Sequence, residues 1–191
     1  MLKIGITGGI GSGKTYVCQL LEKLGYPVFY SDEEAKKLMT QDPSLISEIK
    51  QLLGDESYIQ NELNKPFIAH SIFHNSKLRE AINLLVHPKV FQAFELWKIK
   101  QSSTIVFNES ALLFETESYK RFDKNILILS DNETRIKRIQ LRDTLSVIEI
   151  KNRIESQLSD DEKIKKTDFI IDNNENVLLI PQLISILKNI K

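Results

Sequence analysis

Apolar residues follow two different periods along this chain. Short runs at Leu2 to Thr7, Pro27 to Tyr30, Thr104 to Asn108, Asn125 to Ser130 and Asp168 to Asp172 are bounded by turn or polar residues. Runs of that kind predict five buried parallel strands. Between them the apolar positions recur at three and four. Lys14 to Leu24 carries Val17, Leu20, Leu21 and Leu24 at helical spacing, with Gly25 where a helix C-cap is expected. Val177 to Ile190 predicts a closing helix. The alternation of strand and helix predicts an α/β fold, a parallel sheet with helices on both faces.

Two stretches leave that alternation. From Asp32 to Lys100 no strand is expected, only helical pattern broken at Pro43, Gly54, Pro66 and Pro88, which reads as a helical insertion over one end of the sheet. From Asp131 to Lys166 the pattern is helical and dense in charge, an ordinary solvated face that also suits a mobile flap.

Composition narrows the class. A chain of 191 residues buries a real core and suits one domain with a mobile sub-region. With 26 basic residues against 26 acidic, no net field favours nucleic acid or an anionic membrane. The single cysteine, Cys18, leaves no intrachain disulfide, no secretory leader pattern opens the chain, and the first apolar run is too short to span a bilayer. The expected setting is a reducing cytoplasm. The pattern specifies no oligomeric state.

Chemistry enters with "GGIGSGKT", directly after the first apolar run. Gly8, Gly13, Lys14 and Thr15 fill the pattern of glycine, four residues, glycine, lysine and serine or threonine. Glycines allow backbone angles that turn successive N–H groups inward as an anion nest, and the helix that follows adds the positive end of its dipole. Gly9, Ile10, Gly11, Ser12, Gly13, Lys14, Thr15 and Tyr16 are therefore the expected nucleotide-binding residues. Lys14 would bridge the β- and γ-phosphates of ATP, and the Thr15 hydroxyl would hold Mg²⁺. A turn that merely joins strand to helix is the plain alternative.

The acceptor side separates the classes of nucleotide-binding protein. No Asn-Lys-x-Asp base-reading motif of a switch GTPase is present, and "STIVFNES" offers only Glu109 where a motor would carry paired acids. A small-molecule kinase that closes over the phosphates fits a chain of this length better. Asp32, after the second strand, is placed either to take a proton from the acceptor or to cap a helix from Glu33 to Met39. Arg138 and Arg142 share one helix face, where they could stack on adenine and clamp the transferring phosphate, or form a solvated basic face; Arg153 joins the same flap. His87 precedes Pro88 after "REAINLLV", an ordinary place for a histidine at a helix C-terminus. His70 and His74 stand four apart without a further ligand, and a surface or packing role is expected. Cys18 reads as a small core residue, and Phe91, Phe94 and Trp97 as one helix's apolar face.

Taken in order, these motifs resemble those of the dephospho-coenzyme A kinases. The likeness runs from "ITGGIGSGKT" through "GYPVFYSDEEA", "LNKPFIAHSIF", "LVHPKV", "ALLFE", "FDKNILI", "RIKRIQLRD" and "RIESQ" to "TDFIIDNN". It implies a P-loop NTPase domain over residues 1–191 with a five-stranded parallel sheet, a helical acceptor-binding region within about 32–100 and a lid within about 131–166. It implies ATP with Mg²⁺ as donor, dephospho-CoA as the small-molecule acceptor, Asp32 as base, Lys14 and Arg142 on the moving phosphate, and Lys65, His87 and Arg142 at the acceptor. Four positions depart from the family pattern. Tyr30 stands where an aspartate is usual, Lys65 for arginine, Ala111 for proline and Glu109 for aspartate. Another small-molecule kinase of the same architecture, acting on a nucleoside monophosphate or a sugar acid, and a non-catalytic nucleotide sensor remain as alternatives.

Overall fold

In the computed structural model, which describes residues 1–73 and 75–190, seven strands are found among the described residues: β1 (Leu2–Gly8), β2 (Val28–Tyr30), β3 (Tyr58–Ile59), β4 (Glu62–Leu63), β5 (Ile105–Glu109), β6 (Lys124–Leu129) and β7 (Phe169–Asp172). The helices are α1 (Lys14–Lys23), α2 (Ser31–Gln41), α3 (Pro43–Leu53), α4 (Lys65–Phe73), α5 (Ser76–Lys98), α6 (Asn132–Arg142), α7 (Val147–Glu155), α8 (Asp160–Ile164) and α9 (Leu179–Asn189). The chain divides into two units, Met1–Tyr30 with Gln101–Lys191, and Ser31–Lys100.

The first unit holds the five-stranded sheet, in the order β2-β5-β1-β6-β7 with every pairing parallel. This is the architecture that the sequence predicts. β1 lies at the centre, with Leu2 opposite Ile105 on one side and Ile4 opposite Lys124 on the other. Its two flanking strands lead to opposite edges of the sheet, so the loop after β1 opens at the switch point where α/β sheets bind ligands. Ile4, Ile6, Val17, Cys18, Leu21, Phe107, Ile128 and Leu183 form a fully shielded core around it. Cys18 is thus a packing residue, as expected.

The end of α1 shows local sequence acting directly. Gly25 takes a φ of 87°, its N–H donates to the Glu22 carbonyl at 2.9 Å, and Tyr26 N–H reaches the Leu21 carbonyl at 3.0 Å. Those two bonds satisfy carbonyls the helix cannot, and the left-handed turn they need suits glycine.

The second unit packs α2, α3 and α4 against the long helix α5. Ile82, Val86, Val90 and Phe94 are the buried stripe of α5, and the Phe94 ring stacks on Trp97 at 6.0 Å. Two expectations are corrected here. A small antiparallel hairpin, β3 paired with β4, stands where no strand was expected. Its turn residues Gln60 and Asn61 both have positive φ, 51° and 67°, as a tight hairpin requires, but two-residue strands and a turn without glycine leave no period to read. Pro88 does not break the helical pattern either, since α5 runs 23 residues straight through it. Proline costs a helix one N–H and crowds a carbonyl a turn earlier. Three packed neighbours outweigh that penalty. Pro43 and Pro66, by contrast, do mark starts: each lies in the first turn of its helix, where proline fits. No helix among the described residues is long and apolar enough to cross a membrane.

Candidate active site

The loop from Gly8 to Gly13 joins β1 to α1 and is folded tightly on itself, with Ser12 N–H donating to the Gly9 carbonyl at 3.1 Å. Gly11 and Gly13 have φ of 79° and 89°, values that side chains rarely tolerate. Space is as restrictive as torsion. A Cβ on Gly9 would stand 2.3 Å from Nη2 of Arg135, and one on Gly13 would stand 2.1 Å from Nδ2 of Asn173. Lys14 opens α1 and donates from Nζ to the Gly8 carbonyl at 3.0 Å, which keeps its ammonium over the loop. Thr15 and Tyr16 are exposed in the same first turn. Thr7 Oγ1 and Ser12 Oγ are buried without a hydrogen-bond partner, polar atoms of the cradle that its own fold leaves unused. Glycine torsions, a helix N-terminus, a positioned ammonium and spare hydroxyls fit the phosphates of a nucleotide.

The loop is held from outside itself. Asn173, just past β7, donates from Nδ2 to the Ser12 carbonyl at 2.7 Å. Arg138 on α6 donates to the same carbonyl at 3.5 Å, to the Asn173 carbonyl at 2.9 Å and to Ser130 Oγ at 3.3 Å. Arg138 therefore lies against the backbone of the P-loop. Arg142, one turn further, is exposed and forks onto Asp143 at 3.0 and 2.8 Å. That fork pulls the Asp143 carboxyl below its ordinary value. The two arginines of one face thus have different surroundings. Arg138 is committed to backbone carbonyls, whereas Arg142 is paired with a carboxylate it can leave.

Beside the loop, Glu109 ends β5 in register with Tyr30 of β2 and Ile6 of β1, and only 6% of it is exposed. Burial first, then Cys18, a hydrogen bond with Glu22 and the charge of Glu109 hold the Tyr30 hydroxyl protonated. Burial, with Glu109 and Glu22, likewise pushes the Cys18 thiol up, so it is no thiolate nucleophile. Lys163 of α8 is wholly buried, with Nζ 3.2 Å from Glu115 Oε1 but off hydrogen-bond alignment. The same carboxylate accepts from Leu158 N–H at 3.2 Å, which fastens residues 158–163 to the "ALLFE" segment.

The acceptor-side candidates belong to the helical unit. Asp32 is half-buried in the first turn of α2, together with Glu33 and Glu34. It is not an N-cap. The helix starts at Ser31, directly from β2, which puts Asp32 inside it; the cap role is filled elsewhere, at Asp42 of α3, whose Oδ1 accepts from Ser44 N–H at 2.9 Å and Leu45 N–H at 3.1 Å. Lys65 opens α4 and is exposed. His87 is half-buried in the middle of α5, so the expected helix-terminus position is corrected, for the same reason as at Pro88. His70 is exposed on α4, and His74 lies outside the described residues. Among the described residues no group of three or more His, Cys, Asp or Glu is arranged to hold a metal.

Sequence reasoning passed over Arg135, Gln157 and Asn173, all of which contact the loop. Asn173 and Gln157 lie in quoted motifs, "TDFIIDNN" and "RIESQ", but nothing in their spacing ties them to residues 8–13. Arg135 sits on a charged helix, and charged helices read as solvated.

A family model described as dephospho-CoA kinase matches residues 2–178. A curated dephospho-CoA kinase of Bacteroides fragilis is 39% identical over 187 residues, covering 97% of this chain and 91% of that protein. A crystal structure from Thermus thermophilus superposes with a TM-score of 0.89 at 29% identity, covering 100% of this chain and 98% of the other. Dephospho-CoA kinase from Campylobacter jejuni superposes with a TM-score of 0.70 at 25% identity, over 98% and 96% of the two chains.

Proposed function

The chain belongs to the dephospho-CoA kinase family, whose enzymes phosphorylate the ribose 3′-hydroxyl of dephospho-CoA with ATP in the last step of coenzyme A synthesis, and we propose how its residues divide that work. The reaction needs alignment and charge stabilisation more than covalent chemistry. Backbone N–H groups of residues 9–16, apart from those of Ile10 and Ser12, which donate within the protein, hold the β- and γ-phosphates, and Lys14 places its ammonium between them. Thr15 is the residue that would hold Mg²⁺, and the ion would supply positive charge to offset that of the phosphates. Arg138 serves the nucleotide side. Arg142 exchanges Asp143 for the moving phosphoryl group, a transfer between two anionic partners that an exposed fork can make.

Residues 32–100 take the acceptor and residues 131–166 act as lid. Asp32 accepts the proton as the ribose oxygen bonds to the γ-phosphorus and the bond from that phosphorus to ADP breaks. Its half-buried place in the first turn of α2, directly after β2, supports the reading, because open α/β sheets bind ligands beyond the carboxyl ends of their strands. Lys65 and His87 contribute to acceptor binding. The reaction is proposed to run in the cytoplasm. The observation that carries the reading is the P-loop itself, two left-handed glycines leading into Lys14 at the first position of α1.

ADP release measured with dephospho-CoA, a nucleoside monophosphate and a sugar acid as acceptors tests the reading. Turnover with dephospho-CoA at least a hundredfold above the others is expected. Preference for another acceptor would transfer the chain to a different kinase class, and response to none would make it a sensor.

A further inference from the structure

Ile10 is the one non-glycine between Gly9 and Gly11 at the tip of the P-loop, and both polar atoms of its backbone are taken. Its N–H donates to Gln157 Oε1 at 2.8 Å, and its carbonyl accepts from Arg135 Nε at 2.9 Å. Arg135 is itself fixed: 4% exposed, with Nη1 3.3 Å from Asn132 Oδ1 and 3.4 Å from Asp160 Oδ2. Its guanidinium occupies the space where Gly9 would carry a Cβ.

We propose that Arg135 and Gln157 are positioning residues of the kinase reaction, a two-sided clamp that fixes the Ile10 peptides so that the loop presents amides, and no carbonyl, to the phosphates of ATP. The two peptide units that meet at Ile10 each border a glycine, and glycine lets a peptide rotate at little steric cost. A rotation that turned the Ile10 carbonyl into the nest would aim a partial negative charge at a polyanion. Holding the N–H on one side and the C=O on the other blocks rotation of both units. Gly9 has a second role here, since only a residue without Cβ lets the guanidinium lie against the loop. Neither clamp residue touches the reacting atoms, so the effect is expected in nucleotide binding. This inference rests on the P-loop holding ATP.

The test is calorimetric titration of the full chain with ATP and with AMP, alongside steady-state kinetics, for the wild type, Gln157→Met, Arg135→Lys and the double variant. Methionine keeps the length of glutamine without the acceptor; lysine keeps the charge toward Asp160 without the Nε donor. Each single variant is expected to weaken ATP by about tenfold, the loss of one well-placed hydrogen bond. KM for ATP should rise with kcat little changed, the pattern of uniform binding lost, and AMP, which lacks the β- and γ-phosphates, should bind as to the wild type. Because both side chains hold one residue, the double variant should lose much less than the product of the singles.

ATP affinity within twofold of wild type in both single variants, or fully multiplicative losses, would overturn the clamp. Equal losses for ATP and AMP would reduce both residues to general structural support and overturn it as well. Should Arg135→Lys fail to fold, Gly9→Ala, which displaces the guanidinium, replaces it in the same cycle. Failure of the wild-type chain to bind ATP would remove the P-loop reading and the clamp together, whereas normal ATP binding in the variants removes the clamp alone.

Discussion

Asn173 donates from Nδ2 to the carbonyl of Ser12 at 2.7 Å, across 161 residues of sequence. It ties the carboxyl end of the β7 segment to the loop that follows β1, and it occupies the space that makes Gly13 obligatory. Asn173→Leu removes the donor from a buried carbonyl and leaves it only the long 3.5 Å contact with Arg138. An orphaned buried acceptor costs about 1–3 kcal/mol. A melting temperature several degrees lower, with weaker ATP binding in titration, is the expected result.

The phosphate-bridging role proposed for Lys14 is tested by its removal. Its Nζ bond to the Gly8 carbonyl joins the two ends of one loop. Lys14→Ala should abolish measurable ADP release while circular dichroism melts stay within a degree or two of wild type. An active variant would remove the phosphate-bridging role.

The two arginines of α6 should separate by assay. Arg138 donates to two backbone carbonyls and to Ser130, so Arg138→Ala should lower the melting temperature and raise KM for ATP together. Among the described residues Arg142, itself exposed, pairs with its neighbour Asp143 alone, so Arg142→Ala should melt as wild type yet lose kcat by as much as ~10³ if it contacts the transferring phosphoryl group. A rise in KM alone would move the phosphoryl contact away from Arg142.

Acid stability should carry the mark of Asp42. The Leu45 N–H, then Lys89 and Ser44, pull its carboxyl down to about 2, below the ordinary 3.8. A depressed carboxyl stabilises the fold above its unfolded value and loses that contribution as pH falls through its folded value. The loss therefore falls between about pH 4 and pH 2. Asp42→Ala should lower stability near neutral pH by about 1 kcal/mol, the usual worth of an N-cap, and flatten this part of the pH profile in denaturant titrations.

The sheet was legible because its strands are short, mostly apolar and separated by helical period. β2 and β7 fall within the runs that sequence alone marks, and β1, β5 and β6 overrun theirs by one residue each. The P-loop was legible because its chemistry is local, eight consecutive residues whose torsions glycine permits. What escaped was decided at a distance. α5 continues through Pro88 because neighbouring helices bury its apolar stripe, so His87 leaves the helix end that the local pattern gives it. The β3 and β4 hairpin is too short to have a period. Asp32 moved from cap to first turn because the helix begins without a loop after β2, and boundaries of one or two residues are not written in composition. Arg135, Gln157 and Asn173 became part of the site only when the chain brought them to the loop.

The central assignment is Asp32 as the proton acceptor, and Asp32→Asn tests it most directly. Asparagine keeps the shape and gives up the basicity, at a cost to α2 of about 0.3–1 kcal/mol in lost interaction with the helix dipole. Steady-state phosphorylation of dephospho-CoA at saturating ATP is the measurement, with ATP affinity and a thermal melt taken on the same sample. The assignment predicts a kcat lower by about 10² to 10⁴, the worth of a positioned general base, with ATP binding near wild type. A variant that keeps more than about a tenth of wild-type kcat would contradict it.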